Sequence, residues 1–138
     1  MRALRALWIV TAMVAFGVAP QAVQAQQVGP IPGPGRDTMP EPKNPYTGNP
    51  AALREGRRLF VWYNCAGCHG DHAGGGMGPS LRDTTWIYGN TAARIFNSIA
   101  YGRTKGMPAW GSKLPAEQIW KIVAYIQSLR TAKEPEKP

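Results

Sequence analysis

Thiols and imidazoles are nearly absent from this 138-residue chain. It has two cysteines and two histidines, all between Cys65 and His72, and the other 130 positions hold none. Two cysteines allow one disulfide at most, which excludes a small scaffold stapled by several bridges. Acid is scarce as well: eight Asp and Glu stand against 16 Lys and Arg, a formal net charge of +8. That surplus favours anionic partners and says nothing about fold. The basic residues stand singly and in pairs, with no long Lys/Arg run and no recognisable nucleic-acid module, so nucleic-acid binding is not expected. No stretch alternates apolar and polar residues as a half-buried strand would.

The N-terminal residues read as an export signal. Arg2 and Arg5 make a positive start, residues 6–19 are an uncharged apolar run, and Pro20 breaks it. "VQA", residues 23–25, supplies a cleavage point, which is the order of a secretory peptide. The rival is a retained membrane anchor, but 14 apolar residues fall short of the roughly 20 that span a bilayer. Cleavage after Ala25 is therefore expected, with export to the periplasm and no stable membrane insertion afterwards. A retained signal would make the chain membrane-anchored.

Residues 26–49 form a leader rich in proline and glycine, and seven of the 13 prolines lie between Val28 and Pro50. Proline removes backbone donors, so neither helix nor sheet is favoured there. The leader is either a spacer or a segment lying on the domain through Ile31 and Tyr46. Three helical patterns follow. The first has Asn49 as cap and Pro50 at its first position, and runs to about Tyr63. The second starts at Asn90 or Thr91, carries Ile95, Phe96 and Ile99 on one face, and stops at Gly102. The third starts near Pro115, has Glu117 in its first turn, and repeats Ile119, Ile122, Val123, Ile126 and Leu129 at helical spacing up to Arg130. Residues 50–130 are the expected domain and residues 131–138 a fraying tail. Three short helices are a thin apolar core for such a length, so something else should help fill it.

"CAGCH", Cys65–His69, admits three chemistries. A zinc site would draw Cys65, Cys68, His69 and His72 from one eight-residue stretch, whereas zinc modules usually take two ligand pairs from separate elements. A redox dithiol needs a strand before it and a helix after it, and here a helix precedes and a glycine-dense loop follows. C-x-x-C-H is also the attachment site of haem c. The two thiols become thioethers on the ring edge, and the next histidine ligates the iron at its centre. This reading also explains two cysteines in an exported chain with no structural disulfide.

The sixth iron position then needs a ligand. Met107, in "GMPAW", is the candidate, because a thioether sulfur favours ferrous iron and raises the potential. Methionine is more often core filler. Two features favour a ligand: Met107 lies in a Gly- and Pro-bounded loop, and that loop sits just before the last helix, from which it can fold back over the iron. Met77 is a rival on the histidine's own side, and Met39 lies in the leader. A vacant sixth position would give a small-ligand sensor instead. Trp86, Tyr88 and Trp110 are either haem-pocket walls or ordinary core. His72 reads as an exposed loop residue. Arg82, Arg94 and Arg103 either pair with propionates or face solvent.

The order of a helix, CxxCH, a GP loop, a middle helix, a Met loop and a closing helix resembles a class I cytochrome c over residues 50–130. The short interval from "CHG" to "GMPAW" resembles compact bacterial members. "WIYG" and "GMPAWG" are similar to exported cytochromes associated with periplasmic dehydrogenases or terminal oxidases. The resemblance implies an all-α cytochrome c fold, with three main helices and loops around one covalent haem. It implies that Gly56 and Phe60 meet Tyr125 where the first and last helices cross. It also implies that the Pro79 carbonyl accepts the ring N–H of His69.

An iron held on both sides leaves no substrate site, so the expected function is electron transfer, not catalysis. The chain reads as a soluble monomer shuttling one electron between a donor (a dehydrogenase or a quinol-oxidising complex) and an acceptor such as a terminal oxidase. The alternatives are the small-ligand sensor and a fixed subunit of a larger oxidase or dehydrogenase. Residues 26–138 keep 14 basic groups and all eight acids, a formal +6. Lys105, Arg103 and Lys113 would steer a redox partner with an acidic docking surface. Because haem supplies missing core, a Cys65→Ser/Cys68→Ser double variant should lose most of its helicity by circular dichroism. Native helicity without haem would count against this reading.

Overall fold

Asn49 starts the first helix, α1, Pro50–Trp62. Its side-chain oxygen accepts from Ala51 N at 3.0 Å and Ala52 N at 3.1 Å, satisfying donors that no helical carbonyl can reach. Pro50 loses nothing at the first position, where its missing N–H has no helical partner. The computed structural model describes residues 32–36 and 42–135. The expected signal peptide, Ile31, Met39 and the last three residues lie outside them.

A short helix, α2, spans Cys65–His69, where the sequence pattern marks no separate element. Its cause is local. Tyr63 N donates to Leu59 O at 2.9 Å and closes α1, and Asn64 reverses the chain at φ 56°, a left-handed conformation that Asn tolerates. Gly67 N to Asn64 O, at 3.1 Å, then starts the next turn. Helix α3, Ala92–Tyr101, is capped by Thr91, whose hydroxyl accepts from Arg94 N, and Gly102 ends it at φ 66°. Helix α4, Ala116–Ser128, begins after Pro115. It stops one residue before the apolar pattern does, which ends at Leu129. Arg130 takes φ 64°, and Thr131 N donates back to Ser128 O at 3.0 Å, so Leu129 is buried from outside the helix. Among the described residues there are no named strands, only isolated bridges at Pro32–Pro108 and Arg103–Met107.

Helices α1 and α3 both pack on α4. Ile95 and Ile99 of α3 join Leu59 and Phe60 of α1 and Ile119, Ile122, Val123 and Tyr125 of α4 in one core. At the α1–α4 crossing a Cβ on residue 56 would lie 2.0 Å from the Lys121 carbonyl oxygen, so only glycine permits this approach. Phe60 meets the Tyr125 ring edge-on, with centroids 5.5 Å apart and planes at 64°.

The described residues of the leader lie on the domain. Asn44 is buried, its Nδ2 donates to Trp120 O at 2.8 Å, and its Oδ1 accepts from Tyr46 N at 2.9 Å. The Lys121 ammonium stands 5.6 Å from the Tyr46 ring centroid. The tail departs from the expected fraying as far as Glu134. That carboxylate takes two hydrogen bonds from Arg82, at 2.6 and 3.1 Å, and one from Arg130 N at 2.8 Å. The guanidinium of Arg130 in turn donates to Arg82 O.

Two outcomes follow from these contacts. Gly56→Ala should lower the unfolding midpoint of the haem-loaded protein, by about 3 kcal/mol, because the obstacle is backbone and cannot rotate away. Glu134 is held below the ordinary carboxylate range, chiefly by the Arg82 hydrogen bond. Its contribution is complete above the unfolded carboxylate pKa and is lost as pH falls through the lowered folded value. Glu134→Gln should therefore lower the thermal midpoint at neutral pH, with the difference from wild type closing in acid.

Candidate haem site

Cys65 and Cys68 are three residues apart on α2, so their thiols share one helix face. Both are unbridged and half-buried. Burial pushes the Cys65 thiol up to about 11. A redox dithiol works through a lowered thiol pKa, so this environment does not suit one. Nor do the side chains make a zinc site: among the described residues no three His, Cys, Asp or Glu groups gather to hold a metal ion. His72 is exposed and faces Asp71 at 3.6 Å.

His69 closes α2. Its Nδ1 lies 2.8 Å from Pro79 O. A carbonyl oxygen can only accept, so Nδ1 carries the proton and Nε2 is the ring nitrogen with a lone pair to offer a metal. The intervening loop is folded back on α2 to make this contact. Gly75 N donates to His69 O, Gly78 N to Cys68 O and Leu81 N to Ala73 O, each at 2.8 Å. The "GPSL" segment, residues 78–81, therefore acts as a template for the ring.

Met107 sits on a tight turn after α3. Arg103 N donates to Met107 O at 2.8 Å, and Gly106 N donates to Arg103 O at 3.1 Å. The Met107 side chain is half-buried and packs against the core, as do those of Cys65, Trp86 and Trp110. Met77, the sequence rival, is 87% exposed.

The three aromatics occupy different settings. Trp86 packs against the core and donates Nε1–H to Asp83 O at 2.9 Å. Trp110 meets Tyr63 edge-on at 5.8 Å, and both pack against the core; Tyr63 was not marked as a site residue in the sequence. Its only signal was its place two residues before Cys65. Tyr88 lies under the Arg103 guanidinium, 4.1 Å from ring centroid to Cζ. Arg103 is itself buried, and its Nε and Nη2 donate to Ser98 Oγ at 3.0 and 2.9 Å. Its expected share in steering a partner is thereby corrected: a guanidinium held inside the fold presents little charge outside. Arg82 is likewise engaged by Glu134. Lys105 and Lys113 are exposed.

These residues fit haem c. Two free thiols share one helix face, an imidazole is held by Nδ1, and partly buried apolar side chains, Met107, Trp86 and Trp110 among them, pack against the core.

Comparison with known proteins agrees with that fit. The family model described as "Cytochrome C oxidase, cbb3-type, subunit III" matches residues 51–126, more than half of the chain. The cbb3-type cytochrome c oxidase subunit FixP of Bradyrhizobium diazoefficiens is 40% identical over 78 residues, covering 54% of this chain and 27% of that protein. Subunit CcoP of Cereibacter sphaeroides is 33% identical over 82 residues, covering 57% of this chain and 28% of that protein. The match thus spans little more than a quarter of these relatives' length. Among solved structures, cytochrome cL from Methylophaga aminisulfidivorans superposes with a TM-score of 0.58 at 33% identity, covering 62% of this chain and 60% of that one. Cytochrome cL from Hyphomicrobium denitrificans gives 0.57 at 30% identity, covering 60% and 50%. The chain belongs to the cytochrome c family, in the group of the cbb3-type oxidase subunit III model; members of the family bind covalently attached haem c, and Cys65, Cys68 and His69 fit its CXXCH motif.

Proposed function

We propose that this chain is an exported, single-haem electron carrier of the periplasm, with His69 and Met107 as the two axial ligands. The bound haem supplies a ferric/ferrous couple. Cys65 and Cys68 tether its edge, and His69 presents Nε2 in one orientation because Pro79 O holds Nδ1. That hydrogen bond is the observation that carries the reading. It fixes the tautomer and raises the basicity of the ring. Met107 would offer its sulfur from the turn after α3, favouring the ferrous state. Trp86 and Trp110, both partly buried against the core, would help exclude water from the iron. With both His69 and Met107 holding the iron there would be no site for a substrate, and an electron could pass with little rearrangement.

Val61 and Trp62, at the end of α1, are 53% and 75% exposed and stand just before the tethering cysteines. An apolar collar there suits a short-lived encounter at the haem edge. Exposed Lys105 and Lys113 would favour an acidic partner. Among the described residues no helix is long and apolar enough to cross a membrane. A second reading, a fixed subunit of an oxidase, is favoured by the names of the FixP and CcoP relatives. Osmotic shock separates the two: a diffusing carrier leaves with the periplasmic contents, and a fixed subunit stays with the membranes.

Met107→Leu should abolish the weak long-wavelength charge-transfer absorbance of the ferric protein and let the ferrous protein bind carbon monoxide rapidly. Retention of that band in the variant would remove Met107 from the iron.

A further inference from the structure

We propose that residues 32–36 of the leader form a strap that holds the Met107 turn closed, with Gly33 and Gly35 as positioning residues for the sulfur ligand. The proposal rests on Met107 being that ligand.

The strap touches the turn from outside. Pro32 bridges to Pro108, and Gly33 N donates to Met107 O at 3.4 Å, the same oxygen that accepts from Arg103 N at 2.8 Å. Gly35 N donates to Tyr101 O at 3.3 Å, and the Arg36 guanidinium stands 5.6 Å from the Tyr101 ring centroid. Tyr101 is the last residue of α3. Five leader residues thus join the end of that helix to the ligand's own backbone.

The two bonds to the domain are long, and shape contributes more than their strength. A Cβ on residue 33 would lie 1.9 Å from Tyr101 O. On the facing side, a Cβ on Gly102 would lie 2.6 Å from Gly33 N and 2.5 Å from Met107 O. Two glycines meet where the strap crosses the turn, and neither position has room for a side chain. Pro34 then walls one side of an apolar cleft with Phe96, Tyr101, Ala109 and Leu114. The run "PGPGR" also lowers the entropic cost of docking, since Pro32 and Pro34 have a fixed φ before they bind.

The turn's other bonds around Met107 O are local, from Arg103 N, and a local turn opens at the cost of the bonds that must break. Removing the strap lowers that cost. Met107 would then leave the iron more often, while helices and haem attachment remain.

The test uses full-length, haem-loaded protein. Gly33→Val is compared with wild type, with the milder Gly35→Ala, and with Gly74→Ala as a control whose Cβ would meet nothing within 4 Å. The readout is the rate at which cyanide binds the ferric protein, with far-ultraviolet circular dichroism as the check on folding. Gly33→Val should accelerate cyanide binding on the order of tenfold, the scale of two ordinary hydrogen bonds lost. Gly35→Ala should act in the same direction and Gly74→Ala should match wild type. Should Gly33→Val lose helicity, Gly35→Ala decides. Wild-type rates in both folded strap variants, with the charge-transfer band abolished by Met107→Leu, would overturn the strap alone. A band that survives Met107→Leu would overturn the ligand assignment and the strap with it.

Discussion

The carbonyl oxygen of Lys121 occupies the space that a side chain at residue 56 would need. Because Gly56 has none, α1 and α4 approach closely enough for Phe60 to reach Tyr125, and both rings become almost wholly buried. Everything at the site is referenced to that crossing. The end of α1 determines where Asn64 turns the chain, and so where α2 presents its thiols. The start of α4 determines where the segment carrying Met107 must end. The segments carrying His69 and Met107 both lie between α1 and α4 in sequence, one following α1 and the other preceding α4, so a shift at the crossing would displace one relative to the other.

Around this frame the loops are held by backbone hydrogen bonds more than by side-chain packing. The loop after α2 donates three N–H groups back to carbonyls at or near the haem-binding turn, and returns one carbonyl, that of Pro79, to the His69 ring. On the other side the Met107 turn is pinned to α3 and to the leader. The two residues proposed to hold the iron are thus positioned by different devices. The histidine is held by its own ring nitrogen, and the methionine by the backbone that carries it. A thioether has no hydrogen to donate, so its placement can be controlled only through the chain and through packing.

Charge is organised unevenly by the same fold. Arg82 and Glu134 form a partly buried, two-pronged pair that ties the tail to the loop before α3. Arg103 is drawn inward over Tyr88 and onto Ser98. The basic surplus counted along the chain therefore overstates what a partner meets. Arg82 and Arg103, both considered for the haem propionates, are committed to protein groups.

Local chemistry determined a good deal here. Asn49-Pro50, Thr91 and Gly102 mark helix ends through bonds made within a few residues, so they were legible in the string. CAGCH declared its chemistry because the spacing of thiols and imidazole is itself the attachment geometry. What the string could not decide were contacts between residues far apart. Glu134 looked like part of a loose tail until Arg82, 52 positions earlier, arrived beside it. Whether the leader was a spacer or lay on the domain stayed open, since the donors of Gly33, Gly35 and Asn44 find their partners in Met107, Tyr101 and Trp120, some 70 residues on. Arg103 looked solvated because nothing adjacent shows that Tyr88 will lie beneath it. Short-range hydrogen bonds are encoded by neighbours, whereas burial and long-range pairing exist only after the helices have crossed.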